Sequence, residues 1–111
     1  MVTFNFDKAV AAATDPRVLA FLMENQATLT DLGLSVWLEI KALLSHGQFE
    51  AAMARLTSAL DWLALRAEAA KDVLGTADVA ARAKKAKEQI GELTMALAKG
   101  VLGALAAAII L

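Results

Sequence analysis

Apolar residues recur along this chain at helical spacing, and from Pro16 onward few stretches lack the pattern. Leu22, Leu29, Val36 and Leu43 fall every seven residues, Leu19, Leu32 and Ile40 widen the stripe, and Asn25 and Gln26 interrupt it. Asp15-Pro16 is a start signal, with a carboxylate at the cap and proline at the first helical position. Between there and Leu44 only Gly33 weakens the helix, so the pattern predicts one helix over 16–44. Ser45-His46-Gly47 closes it, because glycine can take the left-handed conformation at a helix end. Ahead of it, Asp7 is placed to cap a short helix over 8–13.

The next segment is the most regular. Phe49, Met53, Leu56, Leu60, Leu63, Ala67, Ala70 and Leu74 alternate four and three apart, the seam of a helical bundle or coiled coil. Arg55, Ser58, Asp61, Glu68 and Asp72 take the other faces. Gly75-Thr76 marks a turn, and Thr76 or Asp78 can cap a third helix. There Val79, Ala83, Ala86, Ile90, Leu93, Leu97, Gly100, Ala104, Ala107 and Leu111 keep the same alternation. The expected fold is all-α: an elongated helical hairpin over residues 16–74, then a third long helix with an apolar Ala/Gly-rich C-terminal end. At about 1.5 Å per residue these helices are rods of about 40–50 Å. Gly47-Gln48-Phe49, with Ala52, Ala59 and Leu60, resembles the turn and second helix of a tetratricopeptide repeat over about half of one repeat. The first helix lacks the matching small residue, no proline closes the unit and no second copy follows. What the resemblance implies is therefore a tight helical-hairpin turn.

Composition supports helix and narrows the chemistry. Ala (26) and Leu (18) make up most of the 59% hydrophobic content across 111 residues, and both favour helices. There is no Cys, which excludes a disulfide scaffold, a zinc-thiolate site and a cysteine nucleophile, while the apolar content excludes disorder. The net charge of −1 offers no global attraction to nucleic acid. Charge is nonetheless uneven, −3 over residues 1–75 (six basic, nine acidic) and +2 over 76–111 (five basic, three acidic). Arg82, Lys84, Lys85 and Lys87 stand just before the apolar C-terminal stretch, either as a solvated helix face or as a basic membrane-proximal cluster. No aromatic residue follows Trp62, so a stacking platform for single strands is not expected, and no nucleic-acid partner is assigned. Met1–Phe6 has no basic leader pattern, so no signal peptide is expected.

Catalytic motifs are missing from the sequence. His46 is the single histidine and stands at a helix end, where its natural role is to bond terminal carbonyls. Glu24, Asp31 and Glu39 recur seven or eight apart, a spacing that fits one exposed stripe as easily as a paired-acid site. Phosphate-binding, nucleophile-elbow and zinc-helix motifs are absent, so neither an enzyme nor a cofactor or metal is expected. Trp37 and Trp62 lie beside the seams, either as packing residues or as anchors for a partner or a lipid interface.

Residues 93–111 carry one charge, Lys99, and their 19 residues reach about 28 Å against a hydrocarbon core of about 30 Å. Ala96, Gly100, Ala104 and Ala108 form a small-residue ladder of the kind that lets helices approach closely. A helix apolar on all sides must be enclosed, by lipid or by other subunits. The sequence thus divides into an amphipathic body, 1–92, and an apolar helix, 93–111, that inserts in a membrane or is buried in an oligomer. It suggests a non-enzymatic small subunit of a membrane-associated or membrane-penetrating assembly, its C-terminal helix inserting in lipid through 93–111 and self-associating, on the intracellular side of a membrane or in a virion. The alternative is a soluble helical adaptor or structural protein whose C-terminal helix is buried in a homo- or hetero-oligomer.

Overall fold

Polar side chains and one glycine, Gly33, cut the expected long helices into shorter ones. A computed structural model of the chain describes residues 2–70 and 76–110, and in the second stretch side chains from Asp78 on. The Gly75 turn, seam positions Leu74 and Leu111, Asp72 and the Thr76 side chain lie outside the described residues. In order, the elements are β1 (Thr3–Phe4), α1 (Phe6–Ala12), α2 (Pro16–Glu24), α3 (Gln26–Asp31), α4 (Leu34–Ser45), α5 (Phe49–Ala69), α6 (Thr76–Glu92), α7 (Met95–Ala107) and β2 (Ile109–Ile110). The class is all-α, with one two-stranded antiparallel ribbon pairing Thr3 with Ile110 and Phe4 with Ile109.

α1 starts under Asn5, whose side chain accepts from Asp7 N, so the cap lies two residues before the expected Asp7. α2 starts where Asp15-Pro16 predicts, with Asp15 Oδ1 accepting from Arg17 N at 2.8 Å. The single helix expected over 16–44 is three helices. Asn25 is buried at the first break, and its Nδ2 donates to Phe21 O at 2.8 Å and to Gln89 Oε1 at 2.7 Å. A side chain that bonds nearby backbone competes with the helix there. At the second break Gly33 has φ +92°, outside the right-handed helical region and costly for any other residue. The bend brings the indole of Trp37 to donate to Leu29 O at 2.9 Å. Gly47, at φ +70°, closes α4 so that α5 can turn back on it, as the repeat-like turn implies.

The third helix also divides. Leu93 and Thr94 separate α6 from α7, and Thr94 Oγ1 caps α7 by accepting from Leu97 N. α6 runs back along α5, where Ala83 is fully buried with Leu63 and Ala64 and Ala86 is fully buried in the main core. The pair is antiparallel, and Lys84–Glu68 and Lys87–Asp61 ion pairs line it. α7 turns away from α6 and packs on α1, α2 and α4. Val101, Leu102 and Leu105 are fully buried there, in one core with Leu22, Leu29, Trp37, Ile40 and Leu56. Phe4 stacks on Trp37 at 5.6 Å between centroids, Asn5 N donates to Ala108 O, and Lys41 Nζ donates to Ile109 O. In place of rods, the breaks produce a body of 39 × 32 × 25 Å.

Candidate functional site

α5 is flanked by two helices and therefore has three kinds of face. Ala52, Leu56, Ala59, Leu60 and Leu63 enter the core, while Ala64 and Ala67 are buried farther along the helix. What remains is an outward strip of Ala51, Ala54, Ser58, Trp62, Leu65 and Ala69, all exposed. Its residues are spaced three and four apart, so they form one stripe, which over α5's 21 residues is about 30 Å long at about 1.5 Å per residue. Trp62 is 61% exposed and Leu65 60%.

Beside Trp62 the stripe borders a cleft of about 240 Å³ between the α3–α4 junction and α5. Leu32, Val36 and Leu63 line it, with Arg55, Arg66 and Asp31 at the sides. Arg55 is paired with Glu39, and the guanidinium holds that carboxyl below its usual range through a hydrogen bond and its charge. Arg66 makes no ion pair among the described residues. A larger, shallower groove of about 500 Å³ lies between α5, α6 and α7, with Phe49, Met53, Ile90, Leu93 and Met95 along it. Lys99 sits 5.4 Å above the Phe49 ring at its edge.

The residues singled out in the sequence are distributed among core and surface. Trp37 is 1% exposed, with its N–H bonded internally, so it packs the core and presents nothing to a partner; Trp62 is the indole at the surface. Of the seam, Leu56, Leu60 and Leu63 are buried and Phe49 and Met53 half-buried. Of the ladder, Ala104 and Ala108 are buried and Ala96 and Gly100 exposed. A Cβ on Gly100 would lie 3.0 Å from Val18 Cγ2, so α7 approaches α2 closely at that point. Gly100, Ala104 and Ala108 thus pack within the chain, and Ala96 does not. In the basic cluster, Lys84 and Lys87 face carboxylates of α5, Arg82 donates to Asp78 O, and Lys85 is exposed.

His46 Nδ1 bonds Ala42 O at 2.8 Å at the end of α4. Among the described residues no three His, Asp or Glu side chains gather into a metal site. No helix among them is long and apolar enough to cross a membrane. The outward position of Leu65 was the feature least visible in the sequence, because it stands next to the buried Ala64 and one turn from Trp62. The seam leaves it out, and that is its only signal. Compared with known protein families, with characterised proteins and with solved structures, the chain matches none.

Proposed function

We propose that this chain is a non-enzymatic helical docking subunit of a larger assembly, and that it meets its partner along the outer face of α5. The observation that supports this reading is Trp62 and Leu65 standing exposed on one stripe while the chain covers its most apolar segment with its own helices. Trp and Arg dominate the energetics of protein interfaces, and here Arg66 stands one turn from Trp62 beside a cleft that an inserted side chain can fill. The C-terminal helix is a structural member of this body, so neither lipid nor a second subunit is needed to shelter its buried face.

Site-specific photo-crosslinking in the native host tests the reading. A photoreactive residue at position 65 should give an adduct of one discrete mass, and the same residue at Lys85, on the exposed side of α6, should not. Equal adduct patterns at both positions, or no adduct at position 65, would refute it.

A further inference from the structure

The charged side chains of α5 are sorted by sign about its exposed stripe. At about 100° per residue, Arg55 and Arg66 fall about 60–80° to one side of the stripe's midline, and Glu50, Asp61 and Glu68 about 60–80° to the other. The neighbouring helices extend the order. Arg55 pairs with Glu39 of α4, while Asp61 and Glu68 pair with Lys87 and Lys84 of α6. From α4 across α5 to α6 the surface therefore reads acid, base, apolar stripe, acid, base. Pairing within the chain leaves these groups accessible, since their side chains are 32–60% exposed. Arg66 and Glu50, on opposite borders, make no ion pair among the described residues.

Such an order complements itself in one orientation only. Two copies that meet stripe to stripe with parallel α5 helices are related by a two-fold axis along those helices, which exchanges left and right. Acid, base, stripe, acid, base then lies on base, acid, stripe, base, acid, and every column faces the opposite sign. With antiparallel α5 helices the axis runs across them, left and right are kept, and every column faces its own sign. Opposed like charges disfavour association, and complementary ones fix its orientation. Spacing along the helix agrees. Glu50 with Arg55, and Asp61 with Arg66, stand five residues apart on opposite borders, about 7.5 Å along the axis, a span that an arginine side chain bridges between copies.

We propose that the occupant of the α5 face is a second copy of this chain, in a parallel two-fold dimer. Trp62 and Leu65 of each copy cover those of the other, and the bordering charges choose the orientation. The inference rests on the reading of α5 as the docking face and names its partner. Side-chain size alone favours the antiparallel pair, which sets Trp62 and Leu65 against Ser58 and Ala54; the charged borders oppose that pair, so the dimer is sensitive to salt. A stripe of about 30 Å by about 10 Å is small beside the roughly 800 Å² per partner of a standard interface, so the dimer exchanges with monomer.

Sedimentation of the unsubstituted protein over a range of concentrations should show a reversible monomer–dimer equilibrium that moves toward monomer at high salt. Arg66→Glu, at an exposed position outside any ion pair, should weaken the dimer by about tenfold or more. Because the chain has no cysteine, single substitutions report the orientation. Ala51→Cys and Ala69→Cys are exposed at opposite ends of the stripe, about 27 Å apart along the helix and beyond the span of a short bismaleimide. In the parallel dimer each variant should be crosslinked to itself, and a mixture of the two should give no mixed product. Appearance of the mixed product, a dimer that neither variant can link, or association unchanged by Arg66→Glu overturns the proposal. So does a monomer at every concentration. In that event a discrete adduct at position 65 in the host leaves the α5 docking face standing with a different partner, and loss of that adduct removes the face as well.

Discussion

Replacing Leu105 by alanine separates a C-terminal helix that is core from one that merely trails the body. Leu105 and Leu102 are both fully buried, between α7 and the surface of α1, α2 and α4. The substitution removes three carbons, a transfer loss of about 2.4 kcal/mol at about 0.8 kcal/mol each. The cavity left behind adds roughly 1 kcal/mol or more where the neighbours cannot collapse, giving about 3–4 kcal/mol, inside the usual range of about 2–5. Against a total of roughly 5–15 kcal/mol for a domain of this size, that is a large fraction. With an unfolding entropy of about 2.1 cal/mol/K per residue, the melting midpoint should fall by about 13–17 °C. Urea denaturation followed by far-ultraviolet circular dichroism measures the free energy directly. Leu65→Ala is the internal control: the same chemistry at a 60% exposed position should change stability by no more than about 0.5 kcal/mol. Losses below about 0.5 kcal/mol at both Leu102 and Leu105 would show that α7 is not held in the core, and the packing argument would fall.

Four further outcomes follow from other parts of the structure. Gly100→Leu should destabilise by about 1–3 kcal/mol, because its Cβ meets the buried Val18 side chain, whereas Gly103→Ala, with open space around it, should stabilise by up to about 1 kcal/mol; thermal melts of the pair check both signs. Gly47→Ala should cost about 1–2 kcal/mol, since φ +70° is strained for a residue with a Cβ; an unchanged midpoint would remove the turn from the account. Acrylamide should quench the Trp62 fluorescence and spare Trp37, so Trp62→Phe should leave a blue-shifted, poorly quenched emission. The Arg17 hydrogen bond holds the Asp15 carboxyl below its usual range, and Arg55 does the same for Glu39. Both folded values lie below the unfolded ones, so the pairs favour folding above about pH 4 and cease to do so as pH falls through the lowered values. Wild type should therefore lose its stability margin over Glu39→Gln on acidification, and a margin constant across that range would refute the pairing.

Local chemistry that acts within a few residues could be read directly. The Asp15-Pro16 start, the His46-Gly47 stop and the buried seam of Leu56, Leu60 and Leu63 stand where the pattern put them. The breaks at Asn25, Gly33 and Thr94 could not be read with the same security. Asn25 at the first break has one local bond, to Phe21 O, and a second to Gln89, which is distant in sequence and could not be read from it. Thr94 begins a new helix because α7 has α1, α2 and α4 to pack against. Both depend on partners that are far along the chain. The same holds for the α5 face: Trp62 and Trp37 look alike beside their seams, and only the placement of α4, α6 and α7 makes one surface and the other core.

Hydrophobic periodicity and the near absence of breakers determined that this chain is helical and roughly where its helices begin, since propensity and capping are short-range. They also indicated that the apolar segment from Leu93 on needs cover, but the full enclosure expected of it is not what forms: α7 buries Ala98, Val101, Leu102, Ala104 and Leu105 and leaves Met95, Ala96, Gly103 and Ala107 exposed. What encloses the buried face of that segment was decided by tertiary structure alone. Two bends in the first arm and one at Leu93–Thr94 let the chain supply the cover itself, and burial energy depends on which surfaces meet, a quantity that no single segment contains.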